Sequence, residues 1–186
     1  MSDITALLEA RRNGDSSAMN ELITLVYPDL RKRARRYLRK WPQGNQLQTT
    51  DLIDEAYLRF AGKSKADPKN RNDFFAICAT LMRDVIVEHY RKNARRLRLQ
   101  QVPLEAVTGA SPDRHIDFIA LDEALNSLAK LEPRSCKVVE LKFFVGLSNE
   151  EIAEVLDVSV STIKDDWRYA KAWLNRELLR QRDHDT

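Results

Sequence analysis

Apolar side chains return every three or four positions along almost the whole chain, and little in it would break a helix: 186 residues include 5 Gly and 6 Pro. That spacing lines one face of a 3.6-residue repeat, whereas a half-buried strand needs strict alternation. So few turn-formers also argue against a sandwich or barrel, which uses Gly and Pro at each short connection. With 43% apolar and 32% charged residues, the chain can fill a core and still cover it with solvated helix faces. A folded chain of this length buries about 70% of its unfolded surface, so it needs no metal or disulfide staple. Cys78 and Cys136 lie inside apolar helical patterns and lack CxxC spacing; they read as inert buried thiols. No apolar run nears the roughly 18 residues of a membrane span, and the first ten residues lack a signal-peptide layout. The expectation is an all-α, soluble, cytoplasmic protein with no membrane insertion and no bound cofactor.

The charge is unevenly divided. Residues 1–100 carry 20 Lys/Arg against 12 Asp/Glu, and residues 101–186 carry 11 against 16. Two units with different partners are expected from such a split. The run Arg31-Lys32-Arg33-Ala34-Arg35-Arg36-Tyr37-Leu38-Arg39-Lys40 holds seven cations and no anion. A second cluster spans Arg91-Lys92-Asn93-Ala94-Arg95-Arg96-Leu97-Arg98. One basic run is usually a solvated face; two in one small unit point to a polyanion.

Periodicity and punctuation divide the chain further. A short helix is expected over 4–13, ended by Gly14, with Asp15 capping the next over 16–40. Pro28 should kink or split that second helix near Val26. Trp41 to Asn45 is a turn cluster. A third helix follows over 49–60, then a polar loop over 62–72, then a long helix over 73–98. Residues 101–117 hold Pro103, Gly109, Ser111 and Pro112 without periodicity and read as a flexible linker. Helices over 118–131, 133–145, 149–156 and 160–181 complete the chain. Gly146 suits the position just past a helix end, and Ser148 with Glu151 forms a capping box. The fold is therefore two small helical domains, residues 1–100 and 118–186.

The stretch from Glu151 to Lys164 fits a helix-turn-helix. Ala153 is small where two helices would cross, Ile152, Leu156, Val158 and Ile163 plug the angle, and Ser159 caps the second helix. Trp167, Ala170, Leu174 and Leu178 continue the inner face, leaving Ser161, Thr162, Lys164, Asp165 and Arg168 outward. Hydroxyls and cations of this kind bond phosphates and base edges. Asp165 and Asp166 work against tight binding by this helix alone, so an accessory contact within a larger assembly is expected. Asp157 stands in the turn, where Asp tolerates a left-handed conformation.

These residues resemble the sigma-70-type RNA polymerase sigma factors of the extracytoplasmic-function (ECF, group IV) class. The resemblance runs through Leu25-Val26-Tyr27-Pro28-Asp29-Leu30-Arg31 and Leu47-Gln48-Thr49-Thr50-Asp51-Leu52-Ile53-Asp54-Glu55-Ala56-Tyr57-Leu58-Arg59. It continues through Phe74-Phe75-Ala76, Val138-Val139-Glu140-Leu141-Lys142-Phe143-Phe144, and Ile163-Lys164-Asp165-Asp166-Trp167-Arg168-Tyr169-Ala170-Lys171-Ala172-Trp173-Leu174. It implies that the first domain binds core RNA polymerase and recognises and melts the minus-ten element, and that the second reads the minus-thirty-five element. Asp51, Asp54, Glu55 and Arg59 carry over to the polymerase contact. Lys63, Lys65, Lys69, Arg71, Arg83, His89, Tyr90, Arg91, Arg95 and Arg96 carry over to the minus-ten side, where cations and aromatic faces suit unstacked strands. The implied partners are core RNA polymerase and promoter DNA, with an anti-sigma factor as a further candidate.

Two other readings stand beside this one. A stand-alone helix-turn-helix regulator would bind duplex DNA without polymerase, yet the strongest cation clusters lie outside the reading head. An enzyme would need a metal set, a phosphate loop or a nucleophile with its base, and no such spacing occurs. A positive unit tethered to a negative one could also close on itself, with Glu150, Glu151, Glu154, Asp157, Asp165 and Asp166 masking the basic helix.

Overall fold

A computed structural model describes residues 4–38, 47–62, 68–92, 102–103, 115–116 and 118–184. In chain order the elements are α1 (Ile4–Arg12), α2 (Ala18–Leu38), α3 (Thr49–Gly62), α4 (Arg71–Lys92), the two-residue strands β1 (Val102–Pro103) and β2 (His115–Ile116), α5 (Phe118–Leu131), α6 (Pro133–Glu140), a π-helical turn (Leu141–Val145), α7 (Asn149–Leu156) and α8 (Val160–His184).

Local chemistry sets most boundaries. Gly14 ends α1 at φ 93°, and the Asp15 carboxylate then accepts from the Ser17 amide at 2.8 Å to open α2. Asn70 and Asp73 form a reciprocal cap at α4: Asn70 accepts from the Asp73 amide at 2.9 Å and Asp73 accepts from the Lys69 amide at 3.0 Å. That pair starts the helix at Arg71, two residues earlier than its apolar stripe suggests. Pro28 does not split α2, which runs through it. Its missing N–H deprives the Thr24 carbonyl of a partner, but both residues face solvent, where water can serve. The expected helix over 133–145 changes to π spacing for its last five residues. Gly146 closes it in the left-handed region at φ 76°, as the sequence suggests.

α1 to α4 pack in sequence, each on the next, around Leu22, Val26, Leu52, Phe60, Phe74 and Met82. α8 closes over α5, α6 and α7, burying Leu121, Leu125, Val138, Ile152, Ile163 and Leu174. These two groups are not separate. α4 also packs on α5, α6, the π turn and α7, so one continuous buried cluster joins them. Its aromatic seam runs from Tyr90, stacked on Phe118 at 5.1 Å, through Phe118–Phe144 at 6.1 Å to Phe143–Phe144 at 5.0 Å. The ends of the expected linker pair as an antiparallel bridge, Val102 with Ile116 and Pro103 with His115; residues 104–114 lie outside the described set.

Candidate nucleic-acid interface

The stretch expected to form a helix-turn-helix folds as α7, a turn at Asp157 and α8. Ser148 Oγ accepts from the Glu151 amide at 3.1 Å and the Glu151 carboxylate accepts from the Ser148 amide at 2.7 Å. Two orphan donors at the start of α7 are thereby satisfied. Ile152 and Ile163 are fully buried and Ala153 is 7% exposed. Asp157 takes the left-handed turn conformation at φ 52°. Ser159 Oγ accepts from the Thr162 amide at 3.1 Å and lies 2.8 Å from the hydroxyls of both Ser161 and Thr162. Three hydroxyls thus cluster at the N-terminus of α8, where unpaired amides and the helix dipole favour an anion.

Beyond that cluster Lys164, Asp165 and Arg168 are exposed on α8, with Arg168 paired to Asp165 at 2.8 Å. Thr162 is half-buried. Asp166 is different: it is 9% exposed and turns inward. Its carboxylate accepts from Arg134 Nε at 2.6 Å, Arg134 Nη2 at 3.2 Å and Ser135 Oγ at 3.3 Å. It ties α8 to α6, and of the two neighbouring acids only Asp165 stands on the outer face. Tyr169, 45% exposed beside Arg168, shares that face. Its signal in the sequence is the four-residue step from Asp165.

The residues assigned to the other DNA face are dispersed. Lys69 and Arg91 are exposed, Arg71 and His89 half-buried, and Lys63, Lys65, Arg95 and Arg96 lie outside the described residues. Arg71 sits over the Phe75 ring at 4.8 Å and 3.8 Å from Glu154. Burial lowers the proton affinity of His89, with Asp51 pulling weakly the other way. Arg83 and Tyr90 are not surface residues here, at 7% and 3% exposure. Both face the C-terminal half, so neither can meet a nucleic acid in this arrangement.

Arg83 is the centre of a buried clasp. Its Nε donates to Asp122 Oδ1 at 2.9 Å, Nη1 to Glu140 Oε1 at 2.9 Å, and Nη2 to the Asp122 carbonyl at 2.9 Å and Asn126 Oδ1 at 2.8 Å. Burial works against the guanidinium charge, but hydrogen bonding to Glu140 and the charge of Asp122 more than offset it. Lys137 reinforces the clasp, donating to Glu140 at 2.9 Å, the Ala76 carbonyl at 3.1 Å and Thr80 at 3.0 Å. Arg91 reaches Asp122 at 3.3 Å. A second clasp joins Arg33 of α2 to Glu151 at 2.6 Å, the Gly146 carbonyl at 3.0 Å and Asp29 at 2.7 Å. Asn72 adds a bond to the Glu154 carbonyl at 2.8 Å.

Sequence reasoning missed Arg33, Asp122, Asn126 and Glu140. Their signal was available: Asp122 and Glu140 are acids on apolar stripes, as Arg83 is a base on one. Of the six acids expected to reach the basic half, Glu151 and Glu154 do so, while Asp165 and Asp166 pair within their own half.

On α3, Asp51 and Asp54 are exposed, and Leu58 stands beside them at 62% exposure. Burial raises the pKa of the Tyr27 hydroxyl, and the Asp54 carboxylate raises it further. Glu55 and Arg59 are partly covered: Arg59 pairs with Glu55 at 2.9 Å and with Glu88 of α4. Glu88 is held down to about 2, first by its bond to Lys92 and then by Arg59. Among the described residues no helix is long and apolar enough to cross a membrane, and no three His, Cys, Asp or Glu gather as a metal site.

Residues 1–180 match the family described as ECF sigma factor. The ECF RNA polymerase sigma factor BldN of Streptomyces coelicolor is 24% identical over 161 residues, covering 85% of this chain and 59% of its own length. The chain thus spans about three-fifths of that relative. The RNA polymerase sigma-E factor of Streptomyces avermitilis is 31% identical over 139 residues, 73% of each chain. That of Streptomyces antibioticus is 30% identical over 139 residues, 73% of this chain and 72% of its own. Among solved structures, that of CnrH in complex with the cytosolic domain of CnrY covers 98% of both chains at 22% identity and a TM-score of 0.42.

Proposed function

The chain belongs to the ECF sigma factor family, and on that premise we propose that it binds core RNA polymerase and directs promoter-specific transcription initiation in the cytoplasm, with no chemistry of its own. The observation that carries this is a single family match from residue 1 to residue 180, through both helical halves. The division of labour follows. Residues 1–100 dock on polymerase and handle the minus-ten element; residues 118–186 read the minus-thirty-five element. Asp51, Asp54, Glu55 and Arg59 on α3 take the polymerase contact, and exposed Leu58 adds an apolar anchor at its centre. Lys63, Lys65, Lys69, Arg71, His89, Arg91, Arg95 and Arg96 serve the opened strands, joined by Arg83 and Tyr90 once these are uncovered. Ser161, Thr162, Lys164 and Arg168 meet the duplex, with Asp165 tempering their grip.

Co-purification with bacterial core polymerase tests this reading. Wild type is expected to be retained, and Asp51→Lys combined with Asp54→Lys to be lost. Retention of the double variant would remove α3 from the contact, and absence of wild-type binding would favour a stand-alone DNA-binding regulator.

A further inference from the structure

Resting on the promoter-reading role proposed for α8, we infer that Asp165 and Arg168 act as one reading unit that selects a single G·C base pair in the minus-thirty-five element. Both stand on the outer face of α8, one to two turns from its start at Val160, near the end of a recognition helix that meets base edges. Their side chains are 67% and 77% exposed, and Arg168 Nη2 lies 2.8 Å from Asp165 Oδ1. An exposed pair of this kind contributes little to stability, so the fold gives no reason for an acid here. Its neighbour is the contrast: Asp166 turns inward and is held by Arg134 and Ser135. A carboxylate laid against duplex DNA is repelled by phosphates whatever the sequence. It is favoured only where it meets a donor, and in the major groove the donors are cytosine N4 and adenine N6. Adenine sets its own N7 acceptor beside N6, whereas cytosine brings N4 without one, so a carboxylate prefers cytosine. A guanidinium suits the O6 and N7 acceptors of guanine. Read across the groove, one G·C pair presents two acceptors and then a donor. A guanidinium touching a carboxylate presents the complement in the same order. A·T and C·G each set a donor against the guanidinium and an acceptor against the carboxylate, and T·A puts a methyl group where the guanidinium needs its second acceptor. Asp165 thus selects by rejection: it weakens binding to every duplex, and least to the one that offers N4.

The test uses the full chain with bacterial core polymerase and duplex promoters randomised across the minus-thirty-five element, the bound fraction being sequenced. Wild type should enrich G·C over A·T by about tenfold at one position. Asp165→Asn keeps the shape of the side chain, but its amide both donates and accepts and no longer tells cytosine N4 from thymine O4. That variant should bind all duplexes more tightly, lose most of the enrichment at that position alone, and melt as wild type does. Arg168→Ala should flatten the same position. An Asp165→Asn profile identical to that of wild type, or a change spread evenly over all positions, would overturn the reading unit and leave the promoter role standing. Absence of any polymerase-dependent selection by wild type would overturn the promoter role itself, and the reading unit with it.

Discussion

At the scale of single residues, the two neighbouring acids of α8 do opposite things, and substitution should separate them. Asp166 is a buried acceptor for Arg134 and Ser135. Asp166→Ala leaves Ser135 without that acceptor and unties α6 from α8. A loss of about 1–3 kcal/mol is expected in denaturant unfolding. Asp165 faces solvent beside Arg168, where a pair contributes little. Asp165→Ala should change stability by less than about 0.5 kcal/mol, yet tighten binding to duplex promoter DNA by freeing Arg168 and removing an anion. Fluorescence anisotropy of a labelled duplex would show it; unchanged affinity would place α8 away from phosphates. Asp157 bears on the turn between the helices. It holds φ 52°, where glycine carries no Cβ penalty. Asp157→Gly should gain about 0.5–1 kcal/mol in the same unfolding measurement.

At the scale of elements, the ion pairs decide how helices lie on one another. Glu88 of α4 joins α3 through Arg59 and its own helix through Lys92. Its folded pKa, about 2, lies below the unfolded carboxylate value. Its stabilising effect is therefore complete above about pH 4.5 and fades as pH falls toward 2. The difference in melting temperature between wild type and Glu88→Gln should narrow from about pH 5 to about pH 3. A constant difference would mean that the pairs contribute nothing. Arg83 is the stronger case. Arg83→Met leaves buried Asp122 with only its 3.3 Å pair to Arg91 and buried Glu140 with only Lys137, a loss of about 1–3 kcal/mol if the helices stay in place. Parting the halves returns both carboxylates to water and limits that loss. The variant should keep its far-ultraviolet circular dichroism while its radius of gyration rises; global unfolding would show that the halves cannot exist apart.

At the scale of the whole molecule, what was legible is what the backbone decides locally. Caps at Asp15 and Ser148, the left-handed positions at Gly146 and Asp157, and the buried faces of α7 and α8 follow from residue type and spacing alone. The π spacing of Leu141–Val145 left no trace, because the apolar run Phe143-Phe144-Val145 reads equally well as α-helix. The seam was harder. Arg83 resembled a phosphate ligand because a guanidinium suits phosphate and carboxylate alike, and its partners lie 39 and 57 positions away. Charge division suggested that the halves attract; only packing reveals which acids meet which bases. The proposed role is that of a dissociable specificity subunit of RNA polymerase. The most direct test is to add the protein to bacterial core polymerase on sheared genomic DNA of its source and map the transcript starts. Discrete new starts that share one pair of upstream elements are expected. Binding to promoter fragments without polymerase, with no new starts when polymerase is present, would contradict it.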